Sequence, residues 1–311
     1  MNHRNTTDAS RLLLRGFPSH VELQGLLSPL LLSMYLLTLL GNITIIFLIC
    51  SSVQLRQAPM YFFLCHIALT DVGFTSTITP KTLKNLLSRD KTISSWGCLI
   101  QMFFYVSFGN SDSFLLASMA WDRYVAICQP LHYSVLMSRK RCLQLAAVSW
   151  GIPMVHSLLY TLLISRFSFC GEREIPHFFC DVWPLLDITC SDTRVIEMLT
   201  VTEGVVVVLG PFVLIVISYI YIFYTIMRIP SASGKRKAFS TCGSHMSMVV
   251  LFYGSVSWVY FKPHSKKPDH KDMVAAVLYT VVTPMLNPFI YSFRNSEVKT
   301  ALQRVIKQHF H

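Results

Sequence analysis

The sequence predicts an all-α membrane protein, a seven-transmembrane helix bundle with a short amphipathic C-terminal helix, and three observations predict it. Charged residues make up only 14% of the 311-residue chain and hydrophobic ones 52%, whereas a soluble chain carries nearer a quarter charged. Mean hydropathy is +0.47. Seven uncharged or nearly uncharged runs are long enough for the ~30 Å hydrocarbon slab of a bilayer, with short polar connections between most of them. An odd number of passes puts the two chain ends on opposite sides.

The polar tail of residues 1–25 precedes the first span, Leu26–Cys50, which carries Gly41-Asn42 at mid-depth. Asn42 begins an Asn-Ile-Thr triplet that lipid makes unusable as a glycosylation acceptor, so its amide is expected to bond to a neighbouring helix. The second span, Ala58–Thr79, opens on Pro59-Met60-Tyr61-Phe62-Phe63-Leu64, with proline in a first turn where its missing N–H costs little. Trp96–Met119 is the third, running on to Asp122-Arg123-Tyr124 and Cys128. An arginine at mid-bilayer costs ~2.5–3.5 kcal/mol. Taken alone, Asp122-Arg123 therefore reads as a salt bridge where a helix leaves lipid.

The fourth span, Cys142–Ile164, contains Trp150, Pro153 and His156; His156 either lines a cavity or is a hydrogen-bonded packing residue. A long outer loop, roughly Ser165 to Glu197, leads to the fifth span, Met198–Met227, with Glu203, Pro211, Ser218 and Tyr219. The sixth, Ala238–Phe261, follows Lys235-Arg236-Lys237 directly. In the seventh, Met273–Phe293, Pro288 removes a helix hydrogen bond, and Asn287 is expected to supply a replacement partner. Residues 294–311 repeat Val298, Leu302, Val305 and Ile306 at helical spacing among basic residues, the pattern of a helix lying on the inner leaflet.

Orientation does not follow from counting basic residues, because the proposed inner and outer segments hold similar numbers. Two features decide it. Asn5-Thr6-Thr7 is a glycosylation acceptor that works only on the lumenal side, and Cys98, Cys170, Cys180 and Cys190 all fall in segments placed outside, where disulfides persist. The amino terminus is therefore expected outside and the carboxyl terminus in the cytoplasm. A formal net charge of +11 invites a nucleic-acid reading, but charge spread over loops between spans fits anionic lipid and a cytoplasmic partner. No nucleic-acid partner is expected.

Asp71 and Asp112 are acids inside the second and third spans, and an intramembrane ionisable residue is a functional hypothesis by default. If they face each other, both remain ionised only with a cation between them. A sodium ion with water and a shared proton are the two readings; no other cofactor is expected. The four outer cysteines allow three pairings, and spacing does not choose among them.

Together these stretches form a pattern: Gly41-Asn42, Pro59–Leu64, Met119–Cys128, Pro130-Leu131-His132-Tyr133, Ser218-Tyr219, Lys237-Ala238-Phe239-Ser240-Thr241-Cys242-Gly243-Ser244-His245 and Pro284–Asn295. In this order and separation they resemble the odorant (olfactory) receptors, a branch of the rhodopsin-like G-protein-coupled receptors, over essentially the whole chain. The resemblance implies pairings Cys98–Cys180 and Cys170–Cys190. It implies that Asp122, Arg123 and Tyr124 form a cytoplasmic switch with Tyr219, His245 and Tyr291, and that the partner is a stimulatory olfactory-type G protein raising cyclic AMP. Two positions depart from the family pattern: Trp121 stands where tyrosine is usual, and Asp112 where glutamate is usual, a shorter arm for coordinating an ion with Asp71.

Helix depths and the resemblance converge on a ligand pocket in the outer half of the bundle. Tyr105, Val106, Gly109 and Asn110 are expected from the third helix, and Glu203 and Val207 from the fifth. Val256, Ser257 and Tyr260 would come from the sixth, Val277 and Thr280 from the seventh. Such a lining suits a small volatile organic ligand. Glu203 either favours an amine or another donor, since a carboxylate only accepts, or bonds within the bundle. A transporter would show internal repeats and interrupted helix pairs, which are not seen. An intramembrane aspartyl enzyme would use Asp71 and Asp112, but no catalytic motif accompanies them. The expectation is a receptor and not an enzyme, at the plasma membrane, in olfactory or other chemosensory tissue.

Overall fold

The computed structural model describes residues 11–17, 21–169, 173–260, 270–294 and 296–309. Its long helices are α1 (Val21–Ser51), α3 (Pro59–Leu87), α4 (Ser95–Cys128), α6 (Arg139–Ile164), α8 (Arg194–Gly204), α9 (Gly210–Met227), α10 (Ala232–Tyr260), α11 (His270–Val277) and α12 (Thr283–Arg294). Shorter helices α2 (Val53–Gln57), α5 (Tyr133–Leu136) and α7 (Val182–Leu186) lie in the connections. Helix α13 (Ser296–His309) follows the bundle where the amphipathic pattern predicts it, burying Val298. π-helical turns at Val205–Leu209 and Leu278–Val282 join α8 to α9 and α11 to α12.

Among the described residues, five helical stretches are long and apolar enough to cross a membrane: Gln24–Ser51, Pro59–Leu87, Arg139–Ile164, Arg194–Met227 and Lys271–Tyr291. α4 and α10, with 34 and 29 residues, are long enough but more polar. For α4 the cause is its place among the other helices. It packs against α3, α6 and α9 and buries Ser107, Ser111, Asp112, Ser113, Asp122 and Arg123, so its polar groups meet protein and not lipid. The helices facing outward show the reverse: Leu26, Leu30, Leu36 and Leu40 of α1 are exposed.

The all-α character holds, with one small addition outside the bundle. Strands β1 (Arg11–Leu14), β2 (Thr92–Ser94) and β3 (Glu174–Ile175) form a three-stranded sheet in the order β2-β1-β3, β1 running antiparallel to β2 and parallel to β3. Four residues expected in a free tail are thus its central strand. Leu12 and Leu14 are fully buried against Met102, Ile164 and Leu185, which accounts for the ordering, since each such leucine contributes about 2 kcal/mol of burial. The bond Cys98–Cys180 ties α4 to the loop carrying β3.

Pro288 behaves as expected in kind but not in partner. Its missing N–H leaves the carbonyl of Pro284 without a helix bond, and Asn42 Nδ2 of α1 donates to that oxygen at 3.2 Å. Asn287 is occupied elsewhere, donating to both oxygens of Asp71 at 3.0 and 2.9 Å. Gly41 makes the approach of the two helices feasible, because a Cβ there would lie 2.9 Å from Pro288 Cγ.

Candidate functional site

Beneath the disulfide and the sheet lies a cavity of about 320 Å³. From α4 it is lined by Tyr105, Val106, Gly109, Asn110 and Ser113, from α6 by His156 and Tyr160, and from the loop by Asp181, Val182 and Trp183. Thr200, Val201, Gly204, Val205, Val207 and Val208 come from α8 and the π turn, Phe252, Val256 and Tyr260 from α10, and Tyr279 from the second π turn. The walls are mainly aliphatic and aromatic, with polar groups at a few points.

Seven expected residues meet there: Tyr105, Val106, Gly109, Asn110, Val207, Val256 and Tyr260. Three do not. Ser257 is exposed, because the position after Val256 turns away and the helix returns to the cavity at Tyr260, one turn on. Thr280 is fully buried and donates to the Ala276 carbonyl, and Val277 packs against the hydrophobic core. A π turn carries an extra residue, so a uniform 3.6-residue count misplaces the facing side chain; Tyr279 is the one that faces in. Glu203 belongs to α8, but its side chain lies outside the described residues.

The polar groups of the loop side form a chain. Val182 N–H donates to Asp181 Oδ1 at 2.7 Å, Tyr260 OH donates to Asp181 Oδ2 at 3.0 Å, and the Tyr105 and Tyr260 hydroxyls are 2.6 Å apart. With the Tyr260 proton committed to the carboxylate, Tyr105 is the donor to Tyr260. Gln101 holds the same loop from below, accepting from Cys180 N–H at 2.9 Å and donating to the Thr77 carbonyl at 3.0 Å. Asn110 Nδ2 and His156 Nδ1 are 3.4 Å apart on the opposite wall. His156 thus answers to both of its readings, lining the cavity while its ring contacts Asn110 and packs on Tyr160 at 4.7 Å. Cys190 is also disulfide-bonded; Cys170, its expected partner, and the Asn5 acceptor lie outside the described residues.

On the loop, His177 sits 4.7 and 4.4 Å from the rings of Phe178 and Phe179, with a buried Nδ1 that makes no hydrogen bond. Burial lowers its pKa to about 4, against a raising influence from Asp272. Asp192, at the foot of α8, is held below the usual carboxylate range by its hydrogen bonds from Arg194.

Deeper in the bundle a second, smaller cavity of about 10 Å³ is bounded by Asp71, Asp112, Thr283, Asn287, Phe252 and Tyr279, among others. The two acids therefore share one space. Asp112 accepts from the Thr70 hydroxyl, Asp71 from Asn287, and Asn287 Oδ1 is buried without a hydrogen-bond partner. Phe252 and Tyr279 border both cavities.

At the far end of the bundle Asp122 and Arg123 are each 4% exposed. Asp122 accepts from Tyr133 OH at 2.8 Å, and burial together with the neighbouring carboxylate pushes the Tyr133 phenol up, so it stays a donor. Arg123 Nη2 lies 3.9 Å from Met60 Sδ. His245 is fully buried between two helices: Nε2 faces the Leu116 carbonyl at 3.1 Å and Nδ1 the Tyr219 hydroxyl at 2.8 Å. A carbonyl only accepts, which puts a proton on Nε2; in the neutral ring Nδ1 is then the acceptor for Tyr219. Tyr124 stacks on Trp121 at 5.3 Å, and Tyr291 OH points to Met119 Sδ at 3.6 Å. Tyr61 OH donates to Glu297 Oε2 at 3.0 Å, joining α3 to α13.

Two cavities thus lie above a buried Arg123, and sequence comparison identifies the family to which this arrangement belongs. The olfactory receptor family profile matches residues 31–309. The chain belongs to the olfactory receptor family. It is 52% identical to olfactory receptor 1L4 of Homo sapiens over 300 residues, 96% of each chain. It is 49% identical to olfactory receptor 1f45 of Rattus norvegicus over 310 residues, covering 100% of this chain and 99% of that one. It is 50% identical to olfactory receptor 1G1 of Gorilla gorilla gorilla, with 98% and 97% covered. The receptor is accordingly a multi-pass membrane protein that senses odorants and not an enzyme.

Sequence reasoning missed three loop residues, five from α8 and its π turn (Thr200, Val201, Gly204, Val205 and Val208), and Ser113, Tyr160, Phe252 and Tyr279. Asp181, Val182 and Trp183 reach the cavity because they follow Cys180, and the disulfide implied by the resemblance was the available signal. Tyr160 and Ser113 had none beyond lying one helical turn from His156 and Gly109.

Proposed function

We propose that this receptor crosses the plasma membrane seven times, amino terminus outside, α4 and α10 supplying the two more polar crossings. It takes a small volatile odorant into the cavity under the loop and passes the event to a stimulatory olfactory-type G protein at the Arg123 end, raising cyclic AMP. The observation that carries this reading is the cavity itself, whose volume and largely apolar lining suit a compact organic molecule. Tyr105, Val106, Gly109, Asn110, Val207, Val256 and Tyr260 are the proposed contacts. A ligand shifts the equilibrium only through stronger binding to the active arrangement. Phe252 and Tyr279, common to both cavities, are where a change of shape above is felt below.

The Asp71–Asp112 space suits a sodium ion. Two carboxylates and the buried Asn287 Oδ1 are hard oxygen donors, and the room is that of about one water-sized particle. Asp71, Asp112 and Asn287 would hold the ion, which supplies charge compensation for the paired acids. Among the described residues no cluster of three or more histidine, cysteine or acidic side chains exists that would suit a transition metal. Asp122, Arg123, Tyr124, Tyr219, His245 and Tyr291 form the proposed switch. The two hydrogen bonds of His245 join α4 to α9 and α10, so the three helices move only together or by breaking them.

The experiment is a cyclic AMP screen of chemically diverse volatiles in cells expressing the receptor, with surface staining. Concentration-dependent responses to a structurally related subset are expected; uniform silence from a chain at the cell surface would contradict the proposal.

A further inference from the structure

Most hydroxyls around the cavity are committed to protein partners. Tyr105 and Tyr260 serve each other and Asp181, and Tyr253 serves Ser113 at 2.6 Å. Tyr279 differs. It is only 7% exposed, it lines the cavity, and among the described residues its hydroxyl makes no hydrogen bond. Its ring is held in place by Phe74, Phe252 and Tyr105, with centroids 5.2, 5.9 and 6.3 Å away. The hydroxyl is directed at Gly109, where a Cβ would lie 2.6 Å from the phenol oxygen. Glycine therefore makes the room that brings this O–H to the cavity wall.

The phenol oxygen opens onto the cavity; once a ligand seals it in, a hydroxyl left without a partner costs about 1–3 kcal/mol, and a hydrocarbon ligand relieves none of it. A ligand oxygen accepting from the phenol relieves it and binds more tightly in proportion. We infer that Tyr279 is the specificity-determining hydrogen-bond donor of the cavity, positioned by Gly109, and that the receptor prefers compact neutral molecules bearing a carbonyl or ether oxygen over hydrocarbons of the same shape. This rests on the odorant-receptor reading above and narrows its ligand class. Asp181, already accepting from Tyr260 and Val182, offers an amine little by comparison.

The test uses medium-ring ketones, each paired with its methylidene isostere, in cyclic AMP concentration–response curves for wild type, Tyr279→Phe and Gly109→Ala, with surface staining of each. Wild type is expected to prefer the ketone by about tenfold. Tyr279→Phe is expected to bring the pair to parity by weakening the ketone alone. Gly109→Ala, which pushes the hydroxyl off the wall, should do the same and serves if Tyr279→Phe is retained inside the cell. A ketone preference that survives both substitutions, or an equal loss for both members of each pair, overturns the assignment. Wild type answering ketone and isostere equally overturns this inference while sparing the receptor reading; wild type at the surface answering neither overturns both.

Discussion

The two ends of the bundle are held together by different means. At one end a disulfide, a three-stranded sheet, the Asp181–Tyr260–Tyr105 chain and the stacked Phe17 and Phe178 rings, 5.0 Å apart, fix the loop over the cavity. At the other end, beside an apolar cluster of Ile222, Ile226 and Cys242, helices and their neighbouring segments are linked by single hydrogen bonds such as Tyr133 to Asp122, Tyr219 to His245, His245 to Leu116, Tyr61 to Glu297 and the 3.2 Å contact of Cys128 with Thr225. A hydrogen bond contributes about 0.5–1.5 kcal/mol net, whereas a disulfide closing a long loop contributes several. The contrast assigns the ends different work. A fixed end keeps the shape of a binding cavity, and an end held by small separable terms rearranges at a cost that ligand binding can meet.

The comparison breaks most visibly at the disulfide. Cys98 and Cys180 close a separation of 82 residues, for which chain entropy gives about 4 kcal/mol. Cys98→Ser is expected to abolish surface expression or lower the melting temperature of purified receptor by many degrees, read by surface staining and by thermal unfolding. Normal expression and melting would mean that the sheet and the polar chain suffice without it.

A smaller effect is expected from pH at the same end. His177 has its folded pKa lowered to about 4 by burial, from 6.5, so the unfolded chain binds the proton more readily. Stability is then complete above pH 6.5, falls as pH drops toward 4, and levels off below, a loss on the order of 3 kcal/mol. His177→Gln should flatten that part of a melting-temperature profile, and an unchanged slope would assign it to other groups. The smallest effect belongs to Ser257, which is exposed on α10: Ser257→Ala should leave odorant potency within about threefold of wild type, consistent with a change well under 1 kcal/mol.

Much of this was legible in the chain. The apolar runs and the residues that interrupt them gave the long helices. That Asp71 and Asp112 lie inside their spans was readable, their facing each other being only a condition that the shared cavity meets, and seven cavity residues were found from helical depth together with the family pattern. The sheet was not legible, because Arg11–Leu14 is a four-residue stretch whose partners lie far along the chain at Thr92–Ser94 and Glu174–Ile175. Non-local pairing leaves no local periodicity. The π turns were hidden for a related reason: Val205-Val206-Val207-Val208 is apolar on every face, so an extra residue in the turn changes no pattern. Asn42 was expected to bond to another helix, but that its acceptor is the carbonyl freed by Pro288 requires knowing which helix lies alongside.

The division of labour between the ends is tested most directly by Arg123→Ala, with two readouts on the same preparation. One is the odorant-dependent thermal shift of the purified receptor, the other cyclic AMP in cells matched for surface expression. The account predicts a thermal shift like that of wild type together with at least a tenfold loss of the cyclic AMP response. Loss of both, or a cyclic AMP response that survives intact, would contradict it.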